Sequence, residues 1–599
     1  MTDAIETDSS QSPTSPRIWP AALIVGAMWA AKKGTEAFAS GTMLQFMTGF
    51  FSPMVCVGAL LIWWLFASRV SWNQRLTGLA LVVGLFLAAF LLSHESMFMS
   101  LLMFTIPWTV TAIAGLLILK FIPWPTRRWL PVAATAIMCC YAMTLRLDGL
   151  SGSFEPDLAW RWDPTQEEVF LASSESAADT EIERTLILPE EVSSTDWPEF
   201  RGAARDGRVT GVSFPTDWKA APPRELWRRE VGPGWGSFTI VGDTLFTQEQ
   251  RGDQEVVTAY SATSGDPIWM NEVESRFTEV VGGPGPRGTP TYHQGKLYSQ
   301  GAAGKIQCLD AATGESIWVR DLTVDTPAKP PQWGFSASPL VVGDLVITYA
   351  GAGDGQSIIA YQREDGEIAW MGGKGTHSYS SPQLATLGDV EQVLMLSNYG
   401  LISFVPGDGK VLWEHEWDLG PQPNRVVQPL VLGDDVLIGT FLGLGTRRIT
   451  VAKEGDQWST SEQWTSRAMK PYFNDYVEYE GHLYGFDNEI FACIDLEDGK
   501  KKWKRGRYGH GQVLLVADMG TLLILGEKGE LVLLEANPKK HVKLAEIQAI
   551  EGKTWNHPVI ADNRLFVRNG KEAACYELTP SKPSAMATLG EKSMQMVGD

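Results

Sequence analysis

The pattern of apolar and polar positions divides the chain into two textures. Before residue 146 apolar residues come in long runs, at roughly 43–67, 76–92, 99–119 and 129–145. Each is near the roughly 20 residues that a helix needs to cross a bilayer. A shorter run, 18–31, is bounded by Arg17 and by Lys32-Lys33, whose long side chains can snorkel to an interface. The pattern thus predicts a helical membrane domain of about five helices over 17–146, behind a polar, disordered tail at 1–16. From 147 to 195 the chain turns polar and acidic and reads as a linker. At Asp196 short alternating segments begin, punctuated by glycine, and they continue to about residue 580. Residues 581–599 read as a flexible tail.

The second texture is periodic. YSATSGDPIW, CLDAATGESIW, YQREDGEIAW, FVPGDGKVLW and IDLEDGKKKW each place a tryptophan four residues after a turn glycine, at Trp269, Trp318, Trp370, Trp413 and Trp503. Each module opens with a short strand, often after Ser-Pro or Thr-Pro. It turns at a Gly-Asp or similar pair and ends its third strand at Tyr260, Leu309, Tyr361, Phe404, Val451, Ile494, Leu534 or Tyr576. The spacing of 40–52 residues between those positions suits four-stranded blades. Eight modules are counted, the fifth and seventh degenerate. The last lacks a fourth strand, and a spare strand at 225–231 precedes the first, so this strand is expected to complete the last blade and close the ring. The fold class is therefore an all-β eight-bladed propeller with tryptophan-docked blades, preceded by an all-α transmembrane domain. The broad indole is expected to bury its face between blades while its N–H reaches a backbone carbonyl.

Loop charges orient the membrane domain. Arg69 and Arg75 lie between the second and third runs, and Lys120, Arg127 and Arg128 between the fourth and fifth, whereas the His94-Glu95 loop has no Lys or Arg. The positive-inside rule puts the basic loops in the cytoplasm and everything after residue 145 outside. The formal charge of −20 argues against nucleic-acid binding, which calls for a basic face. The six cysteines form no CxxC or CxxCH, so no disulfide framework or haem attachment is indicated. GPGPRG at 283–288 fits GxGxxG in form only, because its prolines and the following strand leave no helix for a pyrophosphate.

The GxxxW repeats, the opening DWPEFRGAARDG and passages such as WGFSASPLV, THSYSSPQL and KTWNHPVI resemble pyrroloquinoline-quinone (PQQ)-binding-like β-propeller repeat proteins of bacteria. The family is related in fold to the propeller lipoprotein of the outer-membrane β-barrel assembly machinery and to PQQ dehydrogenases. The resemblance covers 196–578 and implies a multi-pass protein of the bacterial cytoplasmic (inner) membrane with its propeller in the periplasm. It does not by itself choose between enzyme and non-enzyme. A PQQ dehydrogenase needs a hard cation, usually calcium, held by carboxylate and amide oxygens, a carboxylate base, and a cation on the quinone oxygens. No catalytic aspartate and no metal ligand set can be carried over to this chain. The adjacent cysteines that close the cofactor in some relatives correspond to nothing here, since Cys139-Cys140 lies in a membrane run.

Residues at the start of each innermost strand are expected to ring one mouth of the axial channel. They are Arg287, His377, Asn424, Arg425, Asn474, Asp475, His510, Asn556 and His557, a mixture of cationic, amide, imidazole and carboxylate groups suited to a small ligand. The reading is a membrane-anchored binding or scaffold module with a protein or peptide partner outside the cytoplasm, without redox activity of its own. The alternative is a PQQ- and calcium-dependent dehydrogenase of alcohols or sugars that passes electrons to membrane quinone.

Overall fold

A computed structural model describes residues 17–38, 43–119, 121–177, 186–418, 425–440 and 444–579. The tail expectations for 1–16 and 581–599, together with Lys120 and Asn424, lie outside these residues. The chain divides into two compact units, Met1–Pro164 and Thr165–Asp599.

The first unit is built on five principal helices: α1 (Trp19–Phe38), α2 (Met43–Ile62), α3 (Trp72–Leu92), α4 (Ile106–Ile118) and α5 (Leu130–Met143). α2 runs on through a π-helical turn at Trp63–Ala67, and α4 is entered through another at Leu101–Thr105. Three segments among the described residues are long and apolar enough to cross a membrane: Met47–Ala67, Trp72–Leu92 and Leu101–Ile118. α5 has only 14 residues, and α1 carries Lys32, Lys33 and Glu36 in its second half. The two arginine-bearing loops lie together at one end. There the Trp124 indole donates to Gln74 Oε1 at 3.2 Å, and Ile18, Trp63, Val70 and Trp124 share one core. Their arginines lie on tryptophans, Arg75 at 4.9 Å from the Trp72 ring and Arg128 at 5.2 Å from Trp129, an arrangement that suits a membrane–water interface. At the other end, β1 (Leu145–Leu150) and β2 (Pro156–Trp160) form a hairpin, and Leu147 N donates to Ser96 Oγ at 2.9 Å.

The stretch read as an acidic linker, 147–195, carries regular structure among its described residues. It holds that hairpin and a second-unit helix, α6 (Gln166–Ala177). α6 docks on the first blade because two of its residues find partners there. Glu167 pairs with Arg276 at 2.9 Å and accepts from Gly252 N at 2.8 Å, while Phe170 is buried under the Arg251 guanidinium at 5.0 Å.

The second unit is an eight-bladed propeller. Seven blades are four-stranded meanders of consecutive strands, the seventh taking an extra parallel strand, β3 (Arg208–Val209). The eighth is closed by β4 (Arg224–Glu230), which pairs antiparallel with Glu572–Glu577 so that Trp227 faces Cys575. The ring therefore closes with a strand from the opposite end of the propeller sequence, as expected. Closure spares both ends an unpaired edge. Replacing 224–230 by a Gly/Ser linker of equal length, with everything else kept, is expected to cause aggregation through the opened eighth blade. Unchanged monomer content in light scattering would refute closure by this strand.

The repeated motif docks the blades to one another. Trp269, Trp318 and Trp370 donate their indole N–H to Ala311, Arg363 and Pro406 carbonyls at 3.1, 3.0 and 2.9 Å, each in the following blade. Each ring lies on the next turn glycine, Gly314, Gly366 or Gly409, where an added Cβ would meet the indole at 2.3–2.8 Å. That glycine is needed twice, for φ near +70° and for the indole's approach. Trp503 follows with Asn537 O at 2.8 Å. Trp227 and Trp464, outside the five motif copies, dock identically on Ala262 and Leu496 carbonyls, both at 3.0 Å. Trp413 departs from the pattern and bonds Gln392 Oε1 at 2.7 Å in its own blade. The reason lies in the fifth blade, whose outer strands run ten residues each, Gly445–Glu454 and Gln457–Ser466, and carry their turn glycine away from it.

Candidate binding face of the propeller channel

Eight loops, each leading from an outer strand to the next inner strand, converge on the axis. At one position per blade they form a belt of hydrogen bonds; at six of the eight junctions a side chain accepts from the backbone of the preceding blade, and at the other two a side chain donates to a backbone carbonyl. Ser237 N donates to Thr289 Oγ1 (2.8 Å), Thr289 N to Ser338 Oγ (2.9 Å), Ser338 N to Ser381 Oγ (2.9 Å), and Ser381 N to Gln428 Oε1 (3.2 Å). Gln428 N then donates to Asp475 Oδ1 (2.7 Å) and Asp475 N to Gln512 Oε1 (3.3 Å). Gln512 Nε2 donates to Trp555 O (3.1 Å), and Ser237 Oγ closes the circuit on His557 O (2.6 Å). The Ser-Pro and Thr-Pro signals of the sequence are these belt positions. The hydroxyl satisfies a buried N–H of the neighbour, and the proline that follows starts the strand without needing a donor.

The chain itself fills the channel below the belt. Residues 196–209 enter by pairing Trp197 with Ile240 and leave as β3 beside Leu515 and Val516. Between them Arg201 and Arg205, both at φ above +50°, project into the axis with exposures of 1% and 2%. Arg201 donates to the Asp206 and Tyr476 carbonyls at 2.8 and 2.9 Å and lies 3.3 Å from Asp475 Oδ1. Arg205 pairs with Glu199 and caps the Pro382 carbonyl at 2.9 Å, the Ser338 carbonyl at 3.2 Å and the Pro339 carbonyl. Five donors on a rigid plane suit a guanidinium to a ring of inward carbonyls.

Asp475 is the belt's one acid. Burial pushes its carboxyl up, but Arg201, His557 (Nε2 at 3.3 Å) and the Gln428 amide outweigh this and hold it below the usual range. His557 is pushed down by burial, with Asp475 opposing. Its ring stands edge-on to Phe200 at 5.1 Å.

Two residues ahead of the belt lies the open mouth, with Trp235, Arg287, Tyr379, Phe473, His510 and Trp555 in six of the eight blades. Ring contacts join neighbours: Phe473–Trp555 at 5.0 Å, Trp555–Trp235 at 4.7 Å, and Tyr379 with Trp333 at 5.0 Å. Lys553 Nζ lies 4.7 Å from the Trp555 ring and 5.2 Å from Trp235. Arg287, its guanidinium 4.8 Å from the Phe277 ring, braces its own loop through Glu279 (3.2 Å) and Gly283 O (3.0 Å) and ties it to the next through Trp333 O (3.0 Å). Glu527 accepts from Trp555 Nε1 at 2.9 Å and from His510 N at 3.1 Å.

The single ring read from the sequence thus separates into layers. Arg287 and His510 stand at the mouth, with His377 beside Tyr379 at 5.1 Å. Asn474 and Asn556 sit one step deeper and brace neighbouring loops, Asn556 by donating to Gly234 O at 3.2 Å and Gly236 O at 2.7 Å. Asp475 and His557 belong to the belt and face the plug. Arg425 turns away from the axis to the Ser397 and Trp417 carbonyls at 3.1 and 2.6 Å, so it does not join the ring. Sequence reasoning missed Arg201, Arg205 and the aromatic mouth. The signal for the first was two arginines four apart in a Gly/Ala-rich loop just ahead of the repeats. The signal for the second was an aromatic residue recurring two places before the belt position.

A family model described as outer membrane protein assembly factor BamB matches residues 216–329 and 253–505. The outer membrane protein assembly factor BamB of Shewanella oneidensis is 20% identical over 384 residues, 59% of this chain and 88% of that protein. Among solved structures, BamB from Moraxella catarrhalis is 15% identical, covers 59% of this chain and 99% of its own, and superposes with a TM-score of 0.45. A europium-containing methanol dehydrogenase is 12% identical, covers 64% of this chain and 91% of its own, and has a TM-score of 0.38.

Proposed function

We propose that this PQQ-like, BamB-like repeat propeller, attached to apolar helices, is a binding or scaffold module held at the cytoplasmic membrane with its propeller in the periplasm. In this reading it captures a protein or peptide partner and performs no redox chemistry of its own. The observation that carries the reading is the plugged channel. Arg201 and Arg205 occupy the axis, and the carboxylates around it are already engaged: Asp475 by Arg201 and His557, Glu199 by Arg205, Glu279 by Arg287, Glu527 by Trp555 and His510. Calcium beside a quinone needs several oxygens free to converge on one point. Among the described residues no three His, Cys, Asp or Glu side chains come together as a metal set. The donor chemistry present does not fit PQQ with calcium.

The rival is the PQQ-dependent dehydrogenase of alcohols or sugars. Purified protein given PQQ and calcium is expected to reduce no dye with alcohols or aldoses. Robust reduction that disappears in Asp475→Asn would overturn the scaffold reading.

The orientation rests on the two basic loops sharing one end of the helical unit while the hairpin at Leu145–Trp160 lies at the other. An alkaline phosphatase reporter fused after Asp599 is expected to be active, since that enzyme works only outside the cytoplasm. A silent phosphatase with an active cytoplasmic reporter at the same place would reverse the topology.

A further inference from the structure

We propose that the hairpin Leu145–Trp160, with Trp162 beside it, is a lipid-binding surface seated in the headgroup–acyl boundary of the membrane, at the end opposite the basic loops. It rests on the membrane attachment already argued, in either orientation of the chain. Its partner is zwitterionic phospholipid.

The hairpin has two faces. Cross-strand partners share one side of a sheet, and β1 meets β2 with Leu145 opposite Trp160 and Leu147 opposite Leu158. Leu145, Leu147, Leu158 and Trp160 therefore form one face, and Arg146 and Ala159 the other. The two β1 leucines are buried, whereas Leu158 and Trp160 are 41% and 43% exposed. Trp162, 64% exposed, stacks on Trp160 with ring centroids 5.3 Å apart and planes within 5°. A contiguous apolar patch of this kind marks a contact surface. An indole pair fits a membrane interface, where the rings are buried while their N–H groups stay wet.

The helices fix the depth of the rings. Arg161, which lies between the two tryptophans in the chain, donates to Leu92 O at 3.0 Å and Met143 O at 3.2 Å, at the ends of α3 and α5. The rings thus stand where the apolar stretch of α3 stops. With 21 residues α3 is long enough to cross a membrane, and its length of roughly 30 Å equals a bilayer's hydrocarbon thickness. Its other end is Trp72, under the Arg75 guanidinium. Aromatic groups therefore mark both ends of α3 at the spacing of two membrane interfaces. The 14 residues of α5 reach only about 21 Å. Tyr141, exposed on α5, meets Trp160 edge-on at 6.2 Å, so the hairpin prolongs that helix's aromatic side. Charge on the hairpin favours a zwitterionic headgroup over an anionic one. Arg146 is paired with Asp148 at 2.5 Å and Arg161 is engaged by carbonyls, while the other charges are the acids Glu155, Asp157 and Asp163.

The test places the photo-crosslinker p-benzoyl-phenylalanine singly at Trp160, Trp162, Val83 or Val324 of the full-length protein in phosphatidylcholine proteoliposomes. Val83 is exposed in the middle of α3, and Val324 is exposed on the propeller. Lipid adducts, read by mass spectrometry, are expected at Trp160, Trp162 and Val83 and absent at Val324. Adducts at Val83 alone would overturn the proposal and leave the membrane attachment standing, and adducts at none of the three would overturn both. Cross-links from Trp160 and Trp162 to the propeller in place of lipid would assign the rings to a protein surface and overturn it too. A second variant, Trp160→Ser with Trp162→Ser, keeps Arg161 and its helix caps. It is expected to lose part of the tryptophan quenching by lipid brominated near the acyl carbonyl, with quenching by lipid brominated at the chain end unchanged. Identical shallow quenching in the folded variant and the native protein would also refute the lipid contact.

Discussion

Replacing Arg201 by methionine is expected to destabilise the propeller by about 3–5 kcal/mol, the cost of leaving a buried charge without its partner. Asp475 and Arg201 are 4% and 0% exposed in their side chains, and no solvent can substitute for the guanidinium. The Tyr476 carbonyl would lose its donor as well. The double variant Arg201→Met, Asp475→Asn is expected to recover much of the loss, because it removes both charges while an amide oxygen can still accept from Gln428 N. Urea unfolding of the four proteins of the cycle measures the coupling. Additive effects would mean that the plug is held by packing alone.

The same site makes the fold acid-sensitive. Asp475 has its folded pKa below the ordinary 3.8, so its contribution is present above that value and is lost as pH falls through the lower folded one. His557 also has its folded pKa below its ordinary 6.5, because burial disfavours the charged ring. The unfolded chain therefore takes up this proton first, and stability drops as pH falls from about 6.5 toward the folded value. Both groups act in the same direction. The unfolding midpoint is expected to decline from near pH 6.5 downward, and His557→Gln to flatten the upper part of that decline. A midpoint that rose on acidification would contradict both assignments.

Trp318→Ala is expected to cost about 3–5 kcal/mol. The ring is 7% exposed, stands between Tyr298 and Tyr361 at 6.2 Å from each, and rests on Gly366 of the next blade. Truncation removes the large buried area, strands the Arg363 carbonyl that accepted at 3.0 Å, and opens a cavity that neighbouring blades cannot fill without breaking their register. Trp413→Ala provides the comparison. Its indole bonds within its own blade, so its loss leaves the junction to the next blade with its hydrogen bonds intact. A denaturation midpoint unchanged by Trp318→Ala would remove the docking account at that junction.

Much of this was legible in the chain, for a physical reason. A propeller repeats one supersecondary unit, so the glycine at φ near +70°, the tryptophan four residues later and the Ser-Pro before the inner strand recur at fixed spacing. Blade count and ring closure follow from that period and from the spare strand at 225–231, because an unpaired edge has to find its complement. The apolar runs announced the helices for the same kind of local reason: each must satisfy its backbone within itself. What spacing could not convey was which side chain meets which across the axis. Arg201 and Tyr476 are 275 positions apart, Arg205 and Pro382 177, and Asn556 and Gly236 320. Nothing local distinguishes an arginine that plugs the channel from one in solvent, or Arg425 turned behind the mouth from Arg287 standing in it. Likewise Trp413 carries the same motif as Trp318, and only the longer hairpin of the blade beside it sends its indole elsewhere. The repeating unit, its number and its closure are written into the chain, because each is encoded within 40–52 residues. Only the folded ring reveals that the channel is filled, that its one belt acid is neutralised from below, and that aromatic residues gather at the mouth. Those features arise only when eight loops and a plug, far apart in the chain, are brought to a single axis.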